Sequence, residues 1–161
     1  MVRQMKTLTQ YIDEAFRINK DTKVKQEYNY HPKSRKELRE LIIKLIKERG
    51  NNADLNDIDV SEITDMSRLF SGLGIHNIDI SEWDVSNVKD MMGMFYACKD
   101  FNCDLFSWNV INVINMKGMF CDCENFNCDL SKWNVSNVKD MQAMFYDCDN
   151  LQKTPNWYYE E

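Results

Sequence analysis

The chain has 161 residues, of which 43% are hydrophobic and 29% are charged, and it contains only five Gly and two Pro. These proportions are those of a folded globular chain and exclude collagen-like, linker-like and disordered proteins. No apolar run reaches the roughly 20 residues that a membrane-spanning helix needs, and no N-terminal stretch has the order of a secretory signal. We therefore expect no membrane insertion and a cytoplasmic location, with secretion or surface display only if the natural N-terminus is longer.

The net charge of -6 is divided unevenly along the chain. Residues 1–53 hold 13 Lys and Arg against 7 Asp and Glu, whereas residues 54–161 hold 7 against 19. The division indicates two structural parts with different surfaces. Because the acidic part would repel a phosphate backbone, we expect no nucleic-acid partner.

Two amphipathic helices are predicted in the N-terminal part, over residues 8–19 and 35–49. Each begins at a capping box and the second ends at a glycine: Thr7 to Gln10, Ser34 to Glu37, and Gly50. One apolar stripe runs along the second helix, and its members are Leu38, Leu41, Ile42, Leu45 and Ile46. We expect this stripe to cover the first repeat described below, so that residues 1–51 form a helical N-terminal cap. The basic residues outside the stripe are interpreted as a solvated face, with a nucleic-acid-binding face as the alternative.

A repeat of 25 residues runs from residue 52 to residue 151 without insertion or deletion. We number its units first to fourth: 52–76, 77–101, 102–126 and 127–151. Four residue types recur at fixed positions: Asn52, Asn77, Asn102 and Asn127; Val60, Val85, Val110 and Val135; Met66, Met91, Met116 and Met141; Phe70, Phe95, Phe120 and Phe145. A fixed period of this length means that one supersecondary unit is stacked on itself and that neighbouring units share a core.

Each unit carries two local signals. In the second repeat, residues 79–85 alternate polar and apolar, which predicts a short strand that pairs in parallel with the next unit. The apolar residues that follow stand at helical spacing and predict a short helix; they are Val88, Met91, Met92, Met94 and Phe95. After Leu151 the repeat stops. Residues 152–161 are predicted to be a C-terminal cap, in which Pro155 blunts an exposed edge and three aromatic residues fold over the last unit: Trp157, Tyr158 and Tyr159.

The fourth repeat contains a recognisable motif. Residues 133–145 read Trp-Asn-Val-Ser-Asn-Val-Lys-Asp-Met-Gln-Ala-Met-Phe, and the run that starts at Trp83 matches them closely. The motif resembles the repeat of BspA-like leucine-rich-repeat surface proteins and of mycoplasma surface lipoproteins, and residues 32–38 are similar to the way those arrays begin. The resemblance implies a non-catalytic interaction scaffold of bacteria or their phages. The predicted fold class is therefore α/β: a leucine-rich-repeat-like solenoid of about four 25-residue coils with a helical N-terminal cap.

Six cysteines lie in the repeats, five of them at two shared positions: Cys98, Cys123 and Cys148; Cys103 and Cys128; and Cys121 alone. Stacked units would bring equivalent residues close enough for disulfides or for metal ligation. The earlier repeats hold Leu73 or Ile78 at these positions, so an apolar group satisfies them. We therefore favour buried, reduced thiols over disulfides, and both over a zinc site.

Other repeated side chains also allow both a structural and a ligand-binding interpretation. Aspartates at 54, 79, 104 and 129 are interpreted as caps of backbone N–H groups in turns, with calcium binding as the alternative. The methionine and phenylalanine rows are interpreted as core rather than as a ligand groove. The sequence contains no Ser-His-Asp set, Gly-rich phosphate loop or paired-carboxylate motif. We therefore expect no metal, no cofactor and no enzyme activity.

The third repeat is apolar at three positions that are polar in the other repeats. The exchanges are Phe106 for Asn56, Ser81 and Ser131; Ile111 for Ser61, Ser86 and Ser136; and Ile114 for Thr64, Lys89 and Lys139. Exposed apolar clusters mark contact surfaces. We predict a protein-binding patch made of Phe106, Ile111 and Ile114, flanked by Tyr96 and Tyr146. Packing of the third repeat against the N-terminal helices or a second copy of the chain is the alternative.

The sequence thus predicts a non-enzymatic protein–protein interaction module, bacterial or phage-encoded, whose protein partner it does not identify. Two alternatives stay open. One is a structural or self-assembling component, in which copies of the chain form a homo-oligomer. The other is a surface adhesin.

Overall fold

A computed structural model describes residues 27–159. The predicted helix over residues 8–19 lies outside this range, as do residues 160 and 161. In the described part, one α-helix occurs, α1 (Arg35–Arg49). Before it, Tyr30 forms a single parallel bridge with Ile58 of the first repeat.

Helix α1 begins and ends where its capping residues predict. The Ser34 side chain accepts a hydrogen bond from the backbone N–H of Glu37, and the N–H of Gly50 donates to the carbonyl of Ile46. Gly50 has a φ of 89°, a backbone conformation that favours glycine at a helix end. The predicted apolar stripe faces the core, because Leu38, Ile42 and Leu45 are fully buried. The sequence-based prediction of this helix is confirmed.

The predicted α/β class is wrong. Among residues 27–159 the only β-structure consists of isolated parallel bridges, with no strand and no sheet. Four bridges join residues of successive repeats and one joins the first repeat to the segment before α1: Asp54–Asp79, Asp65–Asp90, Asp90–Asn115, Asn115–Asp140 and Tyr30–Ile58. Neither coils of strand and helix nor a leucine-rich-repeat solenoid is therefore supported.

The repeats consist of consecutive β-turns. In the third repeat, the N–H of Trp108 donates to the carbonyl of Leu105 and the N–H of Val113 donates to that of Val110. In both turns the first and fourth residues are buried, whereas the two residues between them are exposed or partly exposed. Apolar residues consequently alternate at intervals of three and two. Over residues 79–85 alone, this spacing cannot be distinguished from the two-residue alternation of a strand, which led to the strand prediction.

The predicted helix over residues 88–95 is absent for a conformational reason. Gly93 and Ala97 both have a φ of 57°, which ends any right-handed helix, and the equivalent residues of the other repeats have positive φ as well. The spacing of Met91, Met94 and Phe95 is compatible with a helix, but the same spacing arises from two adjoining turns. The side chains are buried as predicted, with the core prediction for the methionines and phenylalanines confirmed for these three residues.

Residues separated by 25 positions lie next to one another and build the core. The rings of Phe95 and Phe120 are stacked with centroids 5.5 Å apart, and those of Trp108 and Trp133 are stacked 6.4 Å apart. Each buried indole also donates its Nε1–H to a carbonyl of the preceding repeat; for Trp108 the acceptor is Ile80. Aromatic stacking and satisfied indole N–H groups therefore join the repeats into one core.

Two of the three aromatic residues predicted to fold over the last unit cover the end of this core, whereas the third, Tyr159, is 77% exposed. Trp157 stacks on Trp133 at 6.4 Å and donates to the carbonyl of Leu130, and Tyr158 lies edge-on to Phe145 at 4.9 Å. The C-terminal segment thus packs on the fourth repeat. The division of the chain into residues 1–51, 52–151 and 152–161 stays a prediction.

Candidate functional site

Asx turns hold the outer corners of the repeats. Asp104 accepts a hydrogen bond from the N–H of Phe106, and Asn109 accepts one from the N–H of Ile111. The aspartates at 54, 79 and 129 accept the equivalent bonds, so the prediction that this row caps turns is confirmed. Phe106 and Ile111 therefore stand at two consecutive, rigidly capped corners of the third repeat.

The apolar exchanges of the third repeat lie on its outer surface. Phe106 is 36% exposed and Ile114 is 41% exposed, while Ile111 is partly buried. Lys132 of the fourth repeat places its ammonium group 4.3 Å from the centroid of the Phe106 ring, a cation–π contact. We call Phe106, Ile111 and Ile114 the apolar patch.

The two predicted flanking tyrosines are exposed at another position of the repeat. Tyr96 and Tyr146 are 44% and 58% exposed, and they stand seven positions beyond Ile114 in the register of the repeat. A hydrogen bond with Asp122 raises the pKa of Tyr96. No hydrogen bond or ring contact links either tyrosine to the apolar patch. That these five residues bind a protein stays a prediction.

The six cysteines are free thiols. The Sγ atoms of Cys98 and Cys123 donate to the carbonyls of Phe70 and Phe95, each in the preceding repeat. Burial raises the pKa of Cys98 and of Cys148 to about 12, and that of Cys103 to about 11. Because the thiolate is the reactive form, these groups are poor nucleophiles at neutral pH.

The most voluminous groove described, of about 580 Å³, lies between α1 and the first repeat. Arg35 and Arg39 line it, but their guanidinium groups donate to backbone carbonyls and so serve the fold. Among residues 27–159, no cluster of three or more His, Cys, Asp or Glu is arranged to hold a metal ion. No helix in that range is long and apolar enough to span a bilayer.

Two sets of contacts were not predicted from the sequence. They are the contact of Lys132 with Phe106 and the hydrogen bonds from Arg35 and Arg39 to the first repeat. The first could have been found from the repeat alignment, since Lys132 directly follows the position equivalent to Phe106. The second had no local signal, because the arginines and their acceptors are about 30 residues apart.

Residues 38–157 match the family described as "Mycoplasma protein of unknown function, DUF285". Neither the curated proteins nor the solved structures gave a match.

Proposed function

The chain belongs to the DUF285 family of mycoplasma proteins, and because the function of that family is unknown we propose one from the surface: the chain is a non-enzymatic module that recognises another protein. Its contact surface is the apolar patch. The supporting observation is the exposure of Phe106 and Ile114 at positions where the other repeats carry polar residues. The common core does not need these side chains, since three other repeats fold without them.

Rigid presentation also supports this proposal. Asx turns fix the corners, and the Asn137 side chain donates to the carbonyl of Ile111 at 2.8 Å. A partner would therefore meet side chains whose backbone is already ordered, which lowers the entropic cost of binding. The buried thiols of Cys98 and Cys148 offer no reactive nucleophile at neutral pH, which is in keeping with a non-catalytic module.

End-to-end self-assembly is the less favoured candidate. Between repeats, N–H groups at alternate residues donate to carbonyls of the next repeat, as Gly93 does to Lys117. A second copy stacked on the fourth repeat would have to offer the carbonyls of its own first repeat. Those of Ser67, Leu69 and Ser71 already accept hydrogen bonds from arginines of α1.

The test replaces the apolar patch by the residues of its neighbours: Phe106→Ser, Ile111→Ser and Ile114→Lys. These are the residues of the fourth repeat at the same positions, so the variant should keep its fold and its melting temperature. We expect a partner captured from the native source by the wild-type chain to bind this variant at least about tenfold more weakly, because buried apolar anchors dominate protein interfaces.

Two matched variants complete the experiment. Ile43→Lys removes a 45%-exposed apolar residue of α1 and should leave binding unchanged. A Tyr96→Ser, Tyr146→Ser double variant tests the tyrosines separately. Equal recovery of every partner by the wild type and the patch variant would refute the proposal. A molecular mass that rises with concentration in the wild type and not in the patch variant would favour self-association instead.

The proposal also concerns the kinship of the protein, the class of its partner and its location. Kinship with BspA-like surface proteins is inferred from the repeat sequence alone and carries no leucine-rich-repeat fold with it. The partner is a protein, rather than a nucleic acid or a lipid into which the chain inserts. The cytoplasmic location stays a prediction.

A further inference from the structure

We infer that the partner segment bound by the apolar patch is acidic: it carries carboxylates beside one or more large apolar side chains. This inference rests on the proposed function and adds the chemistry of the partner. It also orients the bound segment, whose apolar side chains contact the third repeat and whose carboxylates lie over the fourth.

The charge of the outer corners changes steadily along the stack. Over the eleven positions that run from the capping aspartate of the first corner to the position of Ile114, the net charge is −4 in residues 54–64 and −2 in residues 79–89. It is −1 in residues 104–114 and +1 in residues 129–139. The apolar patch therefore lies beside the one of these four equivalent stretches whose net charge is positive. A bound carboxylate would be attracted toward the fourth repeat and repelled by the first.

Two lysines provide this charge, and both adjoin the patch. The Lys132 ammonium lies over the Phe106 ring, and the N–H of Lys139 donates to the carbonyl of Ile114 at 2.8 Å. Lys89 stands on the other side of Ile114, whose N–H donates to the Lys89 carbonyl. Among the described residues none of these lysines forms an ion pair, unlike Lys33 and Lys99, which pair with glutamates. Lys132 also acts on Asp129, whose pKa is lowered first by its bond to the Ser131 N–H and further by this lysine. Without a close ion pair, the lysines can still meet charges on a partner.

The fold does not require an uncharged capping residue at the second corner of the third and fourth repeats. Asp84 and Asn109 both accept the N–H of the residue two positions later, at 3.0 and 3.3 Å, and Asn134 does the same at 3.1 Å. An amide oxygen thus performs the capping that a carboxylate performs in the earlier repeats. Since packing does not decide between Asp and Asn here, the loss of charge in the third and fourth repeats fits what the surface binds.

Carboxylates at the margin of the patch weaken this field but do not reverse its direction along the repeats. Asp104 and Asp129 each accept a backbone N–H within their own turn, and Asp140 accepts the N–H of Gln142. These groups are held at the corners by the turns. A phosphate backbone is less well matched than an acidic peptide, because two or three lysines on a chain of net charge −6 offer few phosphate contacts.

The experiment selects peptides from a random dodecapeptide library on the full chain. The selection discards those that also bind a Phe106→Ser, Ile111→Ser, Ile114→Thr variant, which takes its threonine from position 64 of the first repeat and adds no charge. We expect the remaining peptides to be enriched in Asp and Glu close to an aromatic or large aliphatic residue. In fluorescence anisotropy, a selected peptide should bind a Lys132→Gln, Lys139→Gln variant about tenfold more weakly. Lys47→Gln, Lys99→Gln has the same net charge change away from the patch and should bind like the wild type.

The outcomes separate this inference from the proposed function. Peptides that need the apolar patch but show no acidic enrichment, or bind the Lys132→Gln, Lys139→Gln variant normally, would overturn the acidic partner and leave protein recognition standing. A set of peptides in which none depends on the patch would contradict the proposed function itself. Lysine-dependent binding of oligothymidylate or of phosphatidylserine vesicles, with no peptide selected, would assign the surface to another class of ligand and overturn the inference. Melting curves of all variants confirm that each is folded.

Discussion

At the scale of single residues, backbone conformation constrains the repeat more tightly than side-chain volume does. Gly118 has a φ of 57°, and Ala143, its equivalent in the fourth repeat, has a φ of 55°. A Cβ atom on Gly118 would meet its nearest heavy atom, Cβ of Cys121, at 3.7 Å, an ordinary contact. Space therefore permits a side chain at this position, and only the left-handed conformation opposes it.

The first prediction tests whether backbone conformation, rather than space, limits the residue type at position 118. Gly118→Ala should lower the free energy of unfolding by about 1 kcal/mol, and Gly118→Val by more, because a left-handed backbone costs a β-branched residue most. Gly74→Ala is the matched control, since Gly74 has no positive φ and no atom within 4 Å of the added Cβ. Urea denaturation measures both. Equal effects of the two alanine substitutions would show that the turn conformation is not the constraint.

A second prediction concerns the thiols. With a pKa raised by burial to about 12, Cys98 and Cys148 hold far less than about one part in a thousand as thiolate at pH 8. In the folded chain, reaction of these cysteines with a disulfide reagent should be slow and should accelerate about tenfold per pH unit. Urea should abolish the protection. Rapid labelling of either cysteine in the native chain at pH 7 would contradict the burial described here.

At the scale of elements, α1 substitutes for a repeat that would precede the first. The carbonyls that accept N–H groups within the stack have no earlier repeat to serve them at this end. Arg35 bonds the carbonyl of Ser67, and Arg39 bonds those of Leu69 and Ser71. Side-chain guanidinium groups thus replace backbone donors, while the apolar stripe of the same helix covers the core.

The third prediction follows from that substitution. Arg39→Ala should reduce the free energy of unfolding by about 1–2 kcal/mol, because partly buried carbonyls lose charged donors. Arg39→Lys should recover only part of this, since an ammonium group cannot reproduce the planar fork. Lys44→Ala, on the exposed side of α1, should change stability by less than about 0.5 kcal/mol. Denaturant titration of the three variants tests the ranking, and an Arg39→Ala effect no larger than that of Lys44→Ala would refute the role.

At the scale of the whole molecule, acid should weaken the attachment of α1 to the repeats. Arg49 donates to Asp57 at 2.9 Å and is the main cause that lowers the pKa of this carboxyl below its ordinary 3.8, with Asn29 adding a further bond. A lowered pKa means that the folded chain binds the proton more weakly than the unfolded chain does. The stability that the pair contributes is therefore complete above about pH 4 and is lost as the pH falls through the lowered value.

The fourth prediction is a pH profile. The melting temperature should be nearly constant between about pH 5 and pH 7 and should fall below about pH 4. Asp57→Asn should lower it at pH 7 by up to about 3 °C and make the decline in acid shallower, because one carboxylate with a lowered pKa is gone. Asp149→Asn, which changes an exposed aspartate, serves as the control. An unchanged slope in Asp57→Asn would show that this pair does not link folding to pH.

The sequence alone determined the features that depend on neighbouring residues. The boundaries of α1 follow from Ser34, Glu37 and Gly50, and the burial of Phe95 and Phe120 follows from apolar recurrence. The aspartate caps were predictable for the same reason, since an Asx turn spans two residues. These features need only local hydrogen bonds and a polar or apolar environment.

Tertiary structure decided what links residues far apart in the chain. A turn that repeats every 25 residues and a strand followed by a helix can carry the same apolar spacing, and positive φ at residues such as Ala97 became apparent only in the folded chain. The pairing of Arg39 with the first repeat and the position of Lys132 over Phe106 were equally hidden. Each of these contacts exists only after the units are stacked, because stacking brings together groups about 25 to 30 residues apart that no local sequence signal connects.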